Sequence, residues 1–257
     1  MNTVAKQYWA LTGFAMAMMA AGLIWAAFEA RQFQETLVWI KPFKFALSFV
    51  VLFATLAWVT ARLSAAAQSA RALKWTVAIM AAAFWFEMIY IAAQAAQGLG
   101  SHYNLGDWYH QIMYGLMGLG AVSLVVGTAL VGWVALRDTD ARLGSDLRFG
   151  VGVGFILSCV LTLITAGALS SMAGHFVGTP PAGAAVIPLF GWSAAVGDLR
   201  PAHFLALHAM QAIPLLAWIV QGRSMARGWI IGGAAAYTAL TMALFVQALM
   251  GLPMVRL

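Results

Sequence analysis

Residues 108–135 read WYHQIMYGLMGLGAVSLVVGTALVGWVA, and no Lys, Arg, Asp or Glu interrupts them. A transmembrane helix requires about 20 predominantly apolar residues, so this run is long enough to span a bilayer. The same criterion, applied outward along the chain, gives predicted spans at 8–28, 43–61, 74–97, 108–135, 149–171, 202–221 and 228–250. The sequence therefore predicts an all-α fold, a polytopic membrane helix bundle of about seven transmembrane helices in a single domain, residues 1–257.

The composition supports a membrane protein and excludes other classes. Hydrophobic residues make up 63% of the chain and charged residues 9%, and the mean hydropathy is +0.86. Roughly 25% of the residues of an ordinary soluble domain are charged. These values exclude a soluble globular enzyme, a disordered tail and a nucleic-acid binder, despite the net charge of +6. The single cysteine, Cys159, excludes a disulfide framework, an iron–sulfur cluster and a thiolate zinc site.

The basic residues are distributed unequally between the two sets of connections. One side carries Lys6, Arg62, Arg71, Lys74, Arg137, Arg142, Arg148, Arg223 and Arg227. The other side carries fewer of them, namely Arg31, Lys41, Lys44, Arg200 and Arg256. The positive-inside rule therefore predicts a cytoplasmic N-terminus and a C-terminus on the outer side.

Residues 171–202 form an unusually long connection on the outer side. Connections between bundle helices are usually about 2–8 residues long, and much longer loops are more often binding loops or lids than spacers. This segment is also too apolar for a free solvated linker. We expect it to fold back and cover the helix bundle.

The histidines all belong to the outer half of the predicted topology: His102, His110, His175, His203 and His208. Histidine prefers interfaces to hydrocarbon, which explains one or two of these positions well and all five less well. Imidazole is the commonest metal ligand, so the grouping predicts a metal or haem site. His110 with His203 or His208 would suit the two axial positions of haem b. Three or more of the five histidines together with Asp107 would instead suit copper or zinc.

The start of the sixth span adds two constraints. His203 and His208 are five residues apart and therefore differ by about 140° around a helix, so one helix cannot present both to a single small ion. Arg200 beside Asp198 predicts either an anion site, for a haem propionate or a lipid phosphate, or an interfacial ion pair. Asp198 and Pro201 also suit the first turn of a helix.

Glu87 is the one carboxylate inside a predicted span. An ionised carboxylate at the bilayer centre costs about 2.5–3.5 kcal/mol on insertion scales, and such residues face the bundle interior. Glu87, Tyr90, Gln94 and Gln97 share one helix face by their spacing. This polar face predicts a proton relay or a group that orients a ligand, and the alternative is a protonated glutamate that only stabilises helix packing.

The glycines of two spans predict close helix packing. Gly150, Gly152 and Gly154 lack the preceding strand of a phosphate-binding loop, so we interpret them as packing contacts. Gly115 and Gly118 are expected to let another helix approach in the same way.

The sequence favours a haem- or metal-binding membrane protein with redox chemistry. This prediction corresponds to a membrane oxidoreductase that exchanges electrons with a quinol or a partner protein. The alternative is a proton-coupled transporter or channel that uses Glu87. A zinc-dependent membrane hydrolase is the third candidate. The expected partners are the lipid bilayer and a second copy of the chain in a homo-oligomer.

Two resemblances accompany these residues. Ser101 and His102, followed by Asp107 and His110, distantly resemble the alkaline ceramidase and adiponectin-receptor superfamily, whose zinc is held by three histidines. That family has a histidine pair four residues apart near its last span, which this chain lacks, so its ligands are not carried over. The motifs WIKPFKFALS, SHYN and GDLRPAHFLALHAMQ resemble uncharacterised bacterial multi-pass membrane proteins. That resemblance implies a bacterial inner membrane, with the outer side and the C-terminus in the periplasm.

Overall fold

The structure is a computed structural model that describes residues 3–33, 36–172 and 174–256. Within these residues the regular secondary structure is almost all helical, with a few two-residue strands. The elements are α1 (Thr3–Ala26), β1 (Gln32–Phe33), β2 (Thr36–Leu37), α2 (Ile40–Thr60), α3 (Ala65–Ser69), α4 (Arg71–Ala96), α5 (Trp108–Arg137), α6 (Ser145–Ser171), β3 (Phe176–Val177), β4 (Val186–Ile187), β5 (Trp192–Ser193), β6 (Gly197–Asp198), α7 (Arg200–Val220) and α8 (Ala226–Leu249).

Seven of the described helices, all except α3, are long and apolar enough to cross a membrane. This confirms the predicted all-α bundle of seven spans. Most helices begin a few residues before the predicted span, as at Ile40 and Ser145, because the apolar criterion leaves out a first turn that contains Lys41 or Arg148. The orientation across the membrane stays a prediction.

The chain divides into two compact units, Met1–Arg142 and Leu143–Leu257, which we call the N-terminal and C-terminal units. The N-terminal unit contains α1 to α5. Its interior includes an aromatic cluster in which the rings of Phe49, Phe53 and Phe84 lie 4.9–5.6 Å apart. Tyr8 of α1 stacks on Phe53 at 6.2 Å and is fully buried. Burial of large aromatic side chains of this kind contributes much of the packing energy of a helix bundle.

Helix α5 approaches α4 at two glycines. A Cβ atom at Gly120 would lie 2.9 Å from Glu87 Oε1, and one at Gly127 would lie 2.7 Å from Met80 Sδ. The prediction for Gly115 and Gly118 is wrong, because no atom lies within 4 Å of a Cβ at either position. These two glycines lie on the exposed side of α5.

The C-terminal unit contains α6, α7 and α8. A Cβ atom at Gly150 would lie 2.2 Å from Ala217 Cβ, and one at Gly154 would lie 2.7 Å from Pro214 Cδ. Glycine therefore sets how closely α6 and α7 approach, as predicted for this glycine-rich run. Gly152 is buried in the same stretch.

The long connection between α6 and α7, described except for Ala173, is built from short antiparallel ribbons. Strand β3 pairs with β6, and β4 pairs with β5. The segment packs on the ends of α7 and α8 through Leu199, which is fully buried beside Phe245 and Ala248. Gly197 lies against the α8 backbone, where a Cβ atom would be 2.1 Å from the Ala248 carbonyl oxygen. That this segment covers the whole bundle stays a prediction.

Candidate functional site

Three polar side chains lie buried along one face of α4. Glu87, Tyr90 and Gln94 are only 4–5% exposed. The Glu87 Oε1, Tyr90 hydroxyl and Gln94 Oε1 atoms have no hydrogen-bond partner among the residues that the structure describes. Because most buried polar atoms in proteins are hydrogen-bonded, three such atoms on successive turns of one helix require an explanation. We call these three residues the α4 polar face.

Glu87 lies at the contact between α4 and α5. Gly120 of α5 has no side chain, and the Glu87 carboxyl group occupies the space beside it. Ala83, one turn before Glu87 on α4, lies at the same contact. The sequence predicted an inward-facing Glu87, and its burial agrees with that prediction. The sequence did not reveal that Gly120, and not Gly115 or Gly118, makes the room for it.

Tyr90 and Gln94 continue this face towards the α4–α5 connection. The Tyr90 ring is nearly parallel to that of Phe86, with the centroids 6.3 Å apart, and it packs beside Ile91 and Met117. Its hydroxyl is therefore held by a fixed ring. Gln97 was expected on the same face, but its side chain is exposed and donates to the Ala93 carbonyl. The polar face ends at Gln94.

His102 lies in the connection that follows α4. Its ring is 5.6 Å from the Phe45 ring and 6.1 Å from the Tyr114 ring, and its Nδ1 is 3.2 Å from the hydroxyl of the buried Ser101. Burial, followed by the charge of the nearby Lys41, lowers the pKa of His102 from 6.5 to about 3. His102 is therefore a neutral imidazole at physiological pH.

His110 is held by Asp107 at the start of α5. The Asp107 carboxylate accepts from the His110 backbone N–H at 3.0 Å and also contacts His110 Nδ1. This is a helix N-cap, a role that the sequence analysis missed when it treated Asp107 as a metal ligand only. The pattern of an aspartate three residues before a histidine at a helix start could have indicated it. These hydrogen bonds lower the pKa of Asp107.

Comparison with protein-family models, with curated proteins and with solved structures finds no match to this chain. The function is therefore argued from the chemistry of these residues.

The remaining histidines belong to the C-terminal unit. His203 Nδ1 lies 3.1 Å from the Thr165 hydroxyl of α6, and His208 Nδ1 lies 3.2 Å from Gln211 Oε1 on its own helix. The two histidines of α7 thus have different neighbours. The His175 ring lies 4.1 Å from the Phe176 ring, tilted by 56°, in the connection before α7.

Arg200 and Asp198 form an ion pair. The Asp198 side chain is fully buried and accepts hydrogen bonds from the Arg200 guanidinium and from the backbone N–H groups of Arg200 and Ser193. Arg200 also donates to the Gly191 carbonyl at 2.7 Å. The ion-pair alternative is therefore found, and the pair joins the β5–β6 segment to the start of α7.

Among the described residues, no three His, Cys, Asp or Glu side chains form a group that could hold a metal ion. His102, Asp107 and His110 lie in the N-terminal unit, and His175, His203 and His208 in the C-terminal unit. The α4 polar face is the arrangement with the clearest chemical capability, because it can accept, hold and pass a proton.

Proposed function

We propose that this multi-pass membrane protein binds and releases protons at Glu87 and couples this to transport, as a proton-coupled transporter or channel. The observation that carries the proposal is the run of unpaired buried oxygen atoms at Glu87, Tyr90 and Gln94. A face that served only helix packing would have these atoms paired with the neighbouring helix.

The position of Glu87 favours proton chemistry over a fixed charge. No cationic side chain forms a salt bridge with it among the described residues. An ionised carboxylate at the bilayer centre costs about 2.5–3.5 kcal/mol on insertion scales, so binding a proton is the low-cost way to hold a carboxyl group inside a span. Tyr90 and Gln94 then supply a hydroxyl and an amide on the next two turns, at the spacing that places side chains next to one another.

Infrared spectroscopy of the protein in membranes tests this without knowledge of a substrate. A protonated carboxylic acid gives a distinct carbonyl band in the infrared spectrum. A pH titration of the protein should show such a band from a buried carboxyl group. Glu87→Gln should abolish this band and reduce proton uptake by proteoliposomes on the order of 10²-fold, the usual lower range for loss of a proton-transfer group.

Asp140→Asn is the matched control, because it removes an exposed carboxyl from the same unit. Gly120→Ala is a second variant, since its Cβ would displace the Glu87 carboxyl and should shift the band without loss of folding. A titrating band and proton uptake that both survive in Glu87→Gln would contradict the proposal.

A haem- or metal-dependent redox protein is the second candidate, and one observation favours it. His110 Nδ1 faces a carboxylate and His208 Nδ1 faces an amide oxygen, both of which only accept hydrogen bonds. These contacts use Nδ1 of each ring and leave Nε2 for another partner, which is the arrangement of histidine ligands whose second ring nitrogen is oriented by a carboxylate or carbonyl oxygen. Haem b, copper or zinc would supply the electron-transfer or Lewis-acid chemistry, and a quinol or a partner protein would exchange electrons with it.

The absorption spectrum of the purified protein, before and after dithionite, tests this candidate. Haem would give a Soret band, which Glu87→Gln should keep. Loss of the band in His110→Ala or in His208→Ala would identify which of the two histidines holds the haem. Metal analysis of the same samples covers copper and zinc. Full retention of the cofactor in both histidine variants would show that the ligand assignment is wrong.

A further inference from the structure

The connection between α6 and α7 contains an apolar hairpin. Residues 176–197 include no Asp, Glu, Lys or Arg, although they lie outside the membrane-spanning helices. Strands β4 and β5 pair in this stretch, and residues 188–191 form the tip that joins them. Leu189 is 85% exposed and Phe190 is 37% exposed at this tip. Water is an unfavourable solvent for such a surface, so another phase or molecule is expected to receive it.

The backbone of the hairpin pairs its polar groups internally. The Gly191 N–H donates to the Ile187 carbonyl at 2.9 Å, and the Phe190 N–H donates to the Pro188 carbonyl at 2.8 Å. Pro188 has no N–H to satisfy. At the base, the Ala194 N–H donates to the Ala185 carbonyl at 3.0 Å. This pairing lowers the cost of moving the tip out of water, because unpaired backbone groups are what excludes loops from lipid.

Leu189 adopts a backbone conformation that packing within the chain does not explain. Its φ angle is +70°, in the left-handed region that glycine and asparagine tolerate and that leucine disfavours. The side chain is almost completely exposed, so no buried contact compensates the strain. A strained residue whose side chain projects from the protein indicates a role at that tip.

The hairpin is continuous with an exposed apolar surface of α7. The Phe190 and Trp192 rings stack at 4.3 Å, and both meet the Phe204 ring, at 5.7 and 5.6 Å. Phe204 lies in the second turn of a membrane span and is 38% exposed, as is Leu207 at 36%. The aromatic contacts therefore extend from the exposed apolar face of the span to the hairpin tip. Tryptophan and other aromatic rings are typical of the interface between lipid and water.

We propose that residues 185–194 form an interfacial anchor, whose Leu189–Phe190 tip inserts into the lipid of the membrane leaflet beside the start of α7. The occupant of this surface is the bilayer itself. The anchor would hold the connection against the membrane, and the ion pair of Asp198 and Arg200 fixes its other end to α7.

The experiment places a fluorophore at the tip of the full-length chain in phospholipid vesicles. Cys159, the single cysteine, is buried, so Cys159→Ala gives a background without a native thiol. A dye attached to Leu189→Cys should lose fluorescence when the lipid acyl chains carry a nitroxide, and iodide in the buffer should not quench it. The same dye on Ala182→Cys is the matched control. Ala182 is exposed in the same connection but beyond the base of the hairpin, and the expected quenching pattern is the reverse.

A second pair of variants separates the effect of the Leu189 side chain on insertion from an effect on folding. The dye is placed on Phe190→Cys, with and without Leu189→Asn, which suits the left-handed backbone but removes the apolar side chain. Lipid quenching should be lost only with Leu189→Asn. Iodide quenching at residue 189 equal to that at 182 would place the tip in water and overturn the proposal. Protection from both quenchers would indicate cover by protein, which also overturns it.

Discussion

Gly150→Ala is expected to lower the free energy of unfolding by about 1–3 kcal/mol, the usual cost of overfilling a packed interior. The new Cβ would lie 2.2 Å from Ala217 Cβ, whereas carbon atoms prefer separations of about 3.5–4.0 Å. Both atoms are fixed to helix backbones, so α6 and α7 would have to separate. The free energies of unfolding of the two proteins, measured in mixed micelles, give this change.

Two further variants make the test specific. Gly167→Ala on the same helix meets no atom within 4 Å, so it should stabilise the protein by up to about 1 kcal/mol through helix propensity. Ala217→Gly added to Gly150→Ala removes the clashing atom and should restore most of the lost stability. If the double variant is no more stable than Gly150→Ala, the helix contact is not the cause.

Asp198→Ala is expected to destabilise the C-terminal unit by about 3 kcal/mol, near the lower end for removal of one partner of a buried ion pair. The lower end applies because the Arg200 side chain is 31% exposed, whereas that of Asp198 is fully buried. The substitution also leaves the backbone N–H of Ser193 without its acceptor. Unfolding should show the loss, and limited proteolysis should show faster cleavage within residues 174–199.

The matched control is Glu29→Ala, which removes the carboxylate from the ion pair with Arg31. The Arg31 side chain is 58% exposed, and pairs that water reaches contribute little to stability. Hydrogen bonds from Arg31 lower the pKa of Glu29 to about 2, so the pair is present across the physiological range. Equal losses of stability in the two variants would show that burial of Asp198 does not matter.

The candidate site was partly predictable from the sequence. The spacing of Glu87, Tyr90 and Gln94 placed them on one helix face, because α-helical geometry fixes the angle between residues. The sequence could not predict that their side-chain oxygen atoms lack hydrogen-bond partners among the described residues, since this depends on what α5 presents at Gly120. The histidines were placed on one side of the membrane by the predicted spans. Only the folded chain decided that His110 Nδ1 faces Asp107 and that His208 Nδ1 faces Gln211.

The sequence by itself determined the seven spans, because transfer of a helix into lipid depends on the side chains of a single run of about 20 residues. It also determined the helix faces within each span. Only the tertiary structure decided which glycines make contacts. Gly115 and Gly150 look equivalent in sequence, yet one faces open space and the other meets Ala217. The reason is that the rotation of each helix about its axis is set by packing against its neighbours, and no local run of sequence contains that information.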